Sequence, residues 1–266
     1  MERIALITGG SKGIGLSLSQ LLIRHEFKVF SLSRSSSKYT HPNFIQVKFD
    51  LSNIEKLPQL MDQFVIDNGV PDLLINNAGY GSFFEWAEFP GFEIHQQVDV
   101  LFKAPVMLCR KLVPLMAAKN SGIVVNLSSL ATLYPLPFMP LYNAGKSGLS
   151  SFTQSMMLEY HSQPVFIDFR MGDVQTGFNN SAVKFPSARP NTKNAWTKIE
   201  KQLKHSISPD QASQLIWKRI LNARSGTFYG GTIFHGLFLP FIDAVLPFFI
   251  KRKLLRYWYL LHADNT

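Results

Sequence analysis

Short, mostly apolar runs alternate along this chain with longer stretches in which apolar residues recur every three or four positions. The runs are Arg3 to Thr8, Lys28 to Leu32, Phe44 to Phe49, Asp72 to Ile75, Ile123 to Leu127 and Val165 to Phe169. A continuous apolar run of this length, rich in β-branched residues, predicts a strand buried on both faces. The stretches between them predict helices. One begins at the stripe Leu16, Leu18, Leu21 and Leu22; others cover Asn53 to Asp67, Phe92 to Lys119, Leu141 to His161 and Asp210 to Ala223. Gly226 to Gly230 reads as a last strand. Strands alternating with helices predict an α/β fold, a doubly wound parallel sheet with helices on both faces.

Two stretches depart from this rhythm. Gln175 to His205 is rich in Asn, Ser, Pro and Lys and shows no clean period. From Thr232 the chain turns apolar and aromatic through Phe234, Leu237, Phe238, Phe241, Phe248 and Phe249. Lys251-Arg252-Lys253 and a second aromatic stretch, Arg256 to Leu261, follow. A spanning helix needs ~20 mostly apolar residues, and Asp243, Pro240 and Pro247 interrupt this one. Two readings stay open for it. It is a helix pair that closes a pocket or packs on another subunit, or an interfacial anchor with aromatics in lipid and cations at headgroups. Residues 1–231 are read as a single Rossmann-type catalytic domain and 232–266 as an apolar and basic C-terminal extension.

The chain has 266 residues, 46% of them hydrophobic, enough for one α/β domain with a large core. Cys109, the only cysteine, rules out an intrachain disulfide and is expected to pack as a small hydrophobe. Met1 leads directly into the first strand, so no secretory leader is read, and a cytoplasmic setting is expected. The formal charge is +9. Its cations are dispersed and no nucleic-acid-reading module is evident, so nucleic acid is not an expected partner. An anionic membrane surface or an acyl-carrier partner suits the charge better. His95, His161, His205 and His235 show no metal-ligand spacing, and no metal is expected.

Chemistry enters after the first strand. Thr8-Gly9-Gly10-Ser11-Lys12-Gly13-Ile14-Gly15 lies between that strand and the first helical stripe. Glycines there let the backbone turn tightly and approach a pyrophosphate at the helix N-terminus. After the second strand, where an acidic residue would bind ribose hydroxyls, stand Ser33 and Arg34. Arg34 and Lys12 suit a 2′-phosphate and point to NADP(H); the alternative is a pair of ordinary surface cations. Further on, Tyr142 and Lys146 are four residues apart, one turn apart on one side of a helix. An ammonium there can lower the pKa of a phenol that otherwise titrates near ~10. Ser129, at the end of the preceding strand, can hydrogen-bond a substrate oxygen beside it.

Together these stretches resemble the short-chain dehydrogenase/reductase family. The resemblance rests on Thr8 to Gly15, Asp50-Leu51, Asn76 to Gly79, Ser129 with Tyr142 and Lys146, and Gly172 to Thr176. They cover about the first 180 residues in the family's order. The resemblance implies Tyr142 as general acid in reduction and base in oxidation, Lys146 on the nicotinamide ribose, and Ser129 on the substrate carbonyl. It implies a cofactor site at Gly9, Ser11, Lys12, Gly13, Ile14, Gly15, Arg34, Asp50, Leu51, Asn77, Ala78, Gly79, Tyr142, Lys146, Gly172, Val174 and Thr176. Residues 175–207 would be a mobile substrate loop. An apolar, lipid-like carbonyl is the expected substrate and NADPH the reductant. A homo-oligomer and peripheral membrane contact through residues 232–261 are expected. The other reading is a non-catalytic NADP(H)-binding regulator or membrane-associated scaffold. Two departures bear on it. Leu101 stands where the family usually has an Asn that shapes a helix kink, which puts the kink at risk. Met171 replaces a Pro and loosens a turn near the nicotinamide.

Overall fold

The computed structural model describes residues 2–176, 183–184 and 189–261. The elements run β1 (Arg3–Thr8), α1 (Gly13–Arg24), β2 (Phe27–Ser33), β3 (Phe44–Lys48), α2 (Leu57–Asn68), β4 (Leu73–Asn76), β5 (Ser82–Phe83) and α3 (Gly91–Val98). They continue with α4 (Ala104–Ala118), β6 (Ile123–Ser129), α5 (Pro140–Glu159), β7 (Val165–Met171), β8 (Val183–Lys184), α6 (Pro190–Lys204) and α7 (Pro209–Asn222). β9 (Gly226–Gly230), α8 (Leu239–Val245) and α9 (Phe248–Trp258) complete them.

Seven strands form one sheet in the order β3-β2-β1-β4-β6-β7-β9, and every neighbouring pair is parallel. A parallel sheet must be covered on both faces, because its crossover helices lie on both sides. The two-residue alternation of strand side chains divides β1 accordingly. Ala5 and Ile7 face a core that includes Leu18, Leu22, Ile216 and Trp217 of α1 and α7. Leu6 faces the opposite core, with Leu57 and Met61 of α2 and Leu108 and Leu112 of α4. Both faces are apolar, so the strand reads as an unbroken apolar run. Cys109 is buried in this second core, and burial pushes its thiol up to about 12.

The strand order reverses between β1 and β4. At such a switch point the loops leaving the carboxyl ends diverge, one to each face, and open a crevice. The Gly-rich turn leaves β1 there and Asn77 to Gly79 leave β4.

Three features differ from the sequence-based expectation. Within 175–207, Pro190–Lys204 is a helix, α6, with Thr192, Ala195 and Ile199 buried. Its apolar stripe is narrow and set among Lys, Asn and Gln, which hides the helical period. Residues 177–182 and 185–188 of that segment, and 262–266 of the extension, lie outside the described residues. With Leu101 in place the helix is interrupted all the same: a π-helical segment, Asp99–Lys103, separates α3 from α4. Leu101 is fully buried against α5 there, at Gly145, where no Cβ competes for the space. Nor is the Met171 turn loose. β7 runs through Met171 in register with Gly230, and the Gly172 amide donates to the Gly230 carbonyl at 2.8 Å.

The contact between Leu101 and Gly145 generates a prediction. Ala is ordinarily better than Gly inside a helix by about 1 kcal/mol. A Cβ at 145 would lie 2.7 Å from Leu101 Cβ. Overpacking of that kind costs about 1–3 kcal/mol. Gly145→Ala should therefore lower the denaturant midpoint, and the cost of this substitution should shrink in a Leu101→Gly background, which lacks the Cβ that the added methyl meets. A double-mutant cycle by urea unfolding measures it.

Candidate active site

The site is built at the carboxyl edge of the sheet, where loops must satisfy the backbone groups that the ladder leaves open. Thr8 and Asn77 do this across the switch point. The amides of Asn77 and Ala78 donate to Thr8 Oγ1, each at 3.0 Å, and Asn77 Nδ2 donates to the carbonyls of Thr8 at 2.8 Å and Gly9 at 3.2 Å. The turn after β1 is correspondingly tight. A Cβ at Gly15 would meet the Gly9 carbonyl oxygen at 2.2 Å, and Gly9 and Gly13 have φ of +70° and +57°. Side chains other than hydrogen fit neither requirement, so glycine is required here.

One cleft takes in nearly all the residues singled out in the sequence. Gly9, Ser11, Lys12, Gly13, Ile14 and Gly15 line it from the turn; Arg34, Asp50 and Leu51 from the ends of β2 and β3; and Asn77, Ala78 and Gly79 from β4. Ser129, Tyr142 and Lys146 line it from β6 and α5, and Gly172, Val174 and Thr176 from the segment after β7. That last segment is pinned from outside: Gln175 donates its amide to the Ile207 carbonyl at 2.8 Å, and Thr176 packs beside Gly13. A tight glycine turn at a helix N-terminus beside an extended cleft fits a dinucleotide. Lys12 and Arg34 both border the cleft and are exposed. Arg34 lies over the ring of Tyr80, 6.0 Å from its centroid.

Ser129 and Tyr142 share a side-chain hydrogen bond. Ser129 also accepts from the Ala131 amide at 3.1 Å, capping the turn that leads away from β6. Lys146 is buried and donates to the Leu127 carbonyl at 2.6 Å, and a methyl at Gly79 would lie 3.5 Å from its Nζ. Burial holds the Lys146 ammonium down to about 8, and the Asp168 carboxylate draws it upward. The phenol differs from expectation. Desolvation raises the Tyr142 pKa above its ordinary value, the Ser129 bond lowers it, and Asp173 raises it further. The ammonium is spent on Leu127 and is not among these influences. A phenol that keeps its proton is suited to donating one.

Buried polar residues, most of them not singled out from the sequence, support this trio. Asp168 on β7 is fully buried and accepts from Ser150 on α5 at 2.6 Å, from Arg170 Nε at 3.1 Å and from Ser128. Asn76 donates to Asn126 at 2.7 Å, which donates to Thr153 on α5 at 2.8 Å. These contacts join β4, β6, β7 and α5. A polar residue inside an apolar strand was their only sequence signal, visible at Asp168 and Asn126. On the outer side the cleft is apolar, with Leu136, Met139, Ile199 and Leu203. His235 is half-buried beside Gly172, with its Nδ1 3.1 Å from Thr232 Oγ1.

Comparison with known proteins agrees with this architecture. The family profile described as short chain dehydrogenase matches residues 3–185. The chain is similar to a 3-ketodihydrosphingosine reductase of Bacteroides thetaiotaomicron, 28% identical over 67% of this chain and 66% of that protein. It is also similar to a very-long-chain 3-oxoacyl-CoA reductase of Rattus norvegicus, 25% identical over 94% of this chain and 77% of that one. Among solved structures, a short-chain dehydrogenase from Streptomyces avermitilis superposes with a TM-score of 0.77 at 19% identity, covering 99% of this chain and 98% of that one. Similarity at that identity speaks for the fold.

The buried lysine gives a pH prediction. Its folded pKa, about 8, lies below its ordinary 10.5, so between these values the unfolded chain holds more protons than the folded one. Stability from this group must rise with pH over that window. Urea unfolding across pH 8 to 10.5 should show the rise, and Lys146→Met should flatten it.

Proposed function

This chain belongs to the short-chain dehydrogenase family, and from that premise we propose that it reduces the carbonyl of a hydrophobic, lipid-like substrate with NADPH. The observation that carries the reading is the convergence of Ser129, Tyr142 and Lys146 beside the glycine turn. Bound NADPH would supply the hydride, held by the turn from Gly9 to Gly15, by Asn77 to Gly79 and by the segment from Gly172 to Thr176. Lys12 and Arg34 would meet its 2′-phosphate, since no carboxylate follows β2 to compete for a ribose hydroxyl.

The chain's own residues do the rest. Ser129 donates to the substrate carbonyl oxygen and fixes it beside the phenol. Tyr142, kept protonated by burial, passes its proton to that oxygen as negative charge grows there. Lys146, charged below about pH 8, would hold the ribose and return a proton to the phenol. Leu136, Met139, Ile199 and Leu203 give the substrate end an apolar wall, which suits an aliphatic chain and excludes water from the reacting oxygen. The ketosphingosine and 3-oxoacyl reductases to which the chain is similar support that substrate class. A reducing, cytoplasmic setting and a homo-oligomer belong to the same reading. The non-catalytic alternative drew on Leu101; the π-helical interruption at Asp99–Lys103 supports the catalytic reading in its place.

Two measurements test the reading. Tyr142→Phe removes the proton donor and keeps the ring. Turnover of a long-chain ketone should fall about 100-fold or more, with NADPH affinity unchanged by fluorescence titration; full activity in this variant sinks the proposal. Arg34→Ala should weaken NADPH binding by roughly 10-fold or more and leave NADH binding nearly unaltered. Equal losses for the two would show that Arg34 does not read the 2′-phosphate.

A further inference from the structure

Beyond β9 the chain forms a π-helical segment (Phe234–Phe238), α8 and α9, with two unlike sides. The inner side is fixed to the domain. Tyr259 is buried in a cluster with Phe83, Met139, Ala195 and Ile199, against which Leu136 and Tyr142 also pack. Tyr134 donates its hydroxyl to the Leu239 carbonyl at 2.7 Å, and Lys198 of α6 lies 4.7 Å from the Trp258 ring centroid. The outer side is bare. Phe234, Leu237, Phe241, Phe248, Phe249 and Tyr257 are between 53% and 82% exposed. Exposed apolar surface of this extent marks an interaction site.

Charge decides what covers it. Within 232–261 the only carboxylate is Asp243, and it is paired with Lys251 at 2.5 Å. Arg252, Lys253 and Arg256 remain, exposed and of one sign, on α9 beside the aromatic side chains. A second copy related by a two-fold axis through α9 would bring these cations against their counterparts. An anionic bilayer takes both components, phenyl rings at the acyl boundary and cations among headgroups. No helix among the described residues is long and apolar enough to cross a membrane, so contact would be in the interfacial plane.

We propose that the outer face of residues 233–258 docks on an anionic lipid surface and holds the cleft mouth against it, so that an amphiphilic carbonyl compound enters without crossing water. The docking stands on exposure and charge alone; delivery of substrate rests on the reductase reading. His235 packs against Gly172 on the cleft wall, and Tyr259 packs with Met139. Both tie the docking face to the site.

Flotation of the full-length protein with phosphatidylcholine vesicles, with and without phosphatidylglycerol, is the test. The protein should float with the anionic vesicles, lose part of that binding at high salt and keep the remainder. Each neutralised cation should weaken binding about five-fold, so Arg252→Gln, Lys253→Gln and Arg256→Gln together should cost on the order of 100-fold. Phe248→Ser with Phe249→Ser should abolish the salt-resistant part. All five side chains are exposed, and circular dichroism should confirm that both variants keep the fold. Failure to float on anionic vesicles overturns the proposal, as does floating that neither variant alters. A dimer in sedimentation velocity that the Phe248→Ser, Phe249→Ser variant dissociates would assign the face to a second copy instead. Reduction of a short, water-soluble ketone by the same variants keeps the readings apart. Lost flotation with that activity intact supports docking, and no activity in any form, wild type included, sinks the reductase reading and leaves the flotation result standing.

Discussion

Asn77 reaches back across the switch point to the carbonyls of Thr8 and Gly9, and the working edge of the molecule depends on that reach. The loops after β1 and β4 leave the sheet for opposite faces, so the crevice between them exists only if something holds its floor closed. Here the floor is a short lattice of hydrogen bonds: Thr8 Oγ1 to two amides, and Asn77 Nδ2 to two carbonyls. The Gly15 backbone closes against Gly9 at a separation that no side chain permits. Buried amides and carbonyls left unpaired would cost about 1–3 kcal/mol each. The lattice therefore satisfies the edge and shapes the crevice with the same atoms.

A second constraint acts on α5. This helix carries Tyr142 and Lys146, and it has polar ties to the sheet through Ser150 to Asp168 and Thr153 to Asn126. Asp168 is wholly buried, and removing one partner from such a group is far costlier than the net worth of the contact. Its carboxylate also raises the proton affinity of Lys146, in opposition to desolvation. The same buried charge thus fixes the height of the helix and adjusts the charge of the residue the helix presents.

How far the sequence disclosed this varies with the range of the interaction. Strands such as β1 were legible because both faces are buried and the apolar run is unbroken. The glycine turn was legible because its order, strand then turn then helix, is local. So was the placing of Tyr142 and Lys146 one turn apart. The direction of the Tyr142 pKa was not, since it is set by the depth of the cleft, by Ser129 and by Asp173 more than by the neighbour four residues on. Asp168 and Asn126 were visible only as polar interruptions, because their partners lie on other elements. α6 escaped because three buried residues suffice to seat it. At Leu101 the sequence showed a departure but not its complement. The space is left by Gly145, far along the chain, and the π-helical turn is held by packing where an amide was expected to hold it.

Tyr259 gives the C-terminal helices a different standing from that of an appendage. It belongs to the same apolar cluster as Met139, Ala195 and Ile199, so the tail, α6 and the outer wall of the cleft share one small core. Elements that share a core open as a unit, at a free energy below that of global unfolding. Exchange of buried amides in α6 and α9 should therefore be correlated, and the rate at which the cleft admits a bulky molecule should follow the same opening. Access to the site is then a property of this subsidiary core, separable from the stability of the seven-stranded sheet beneath it.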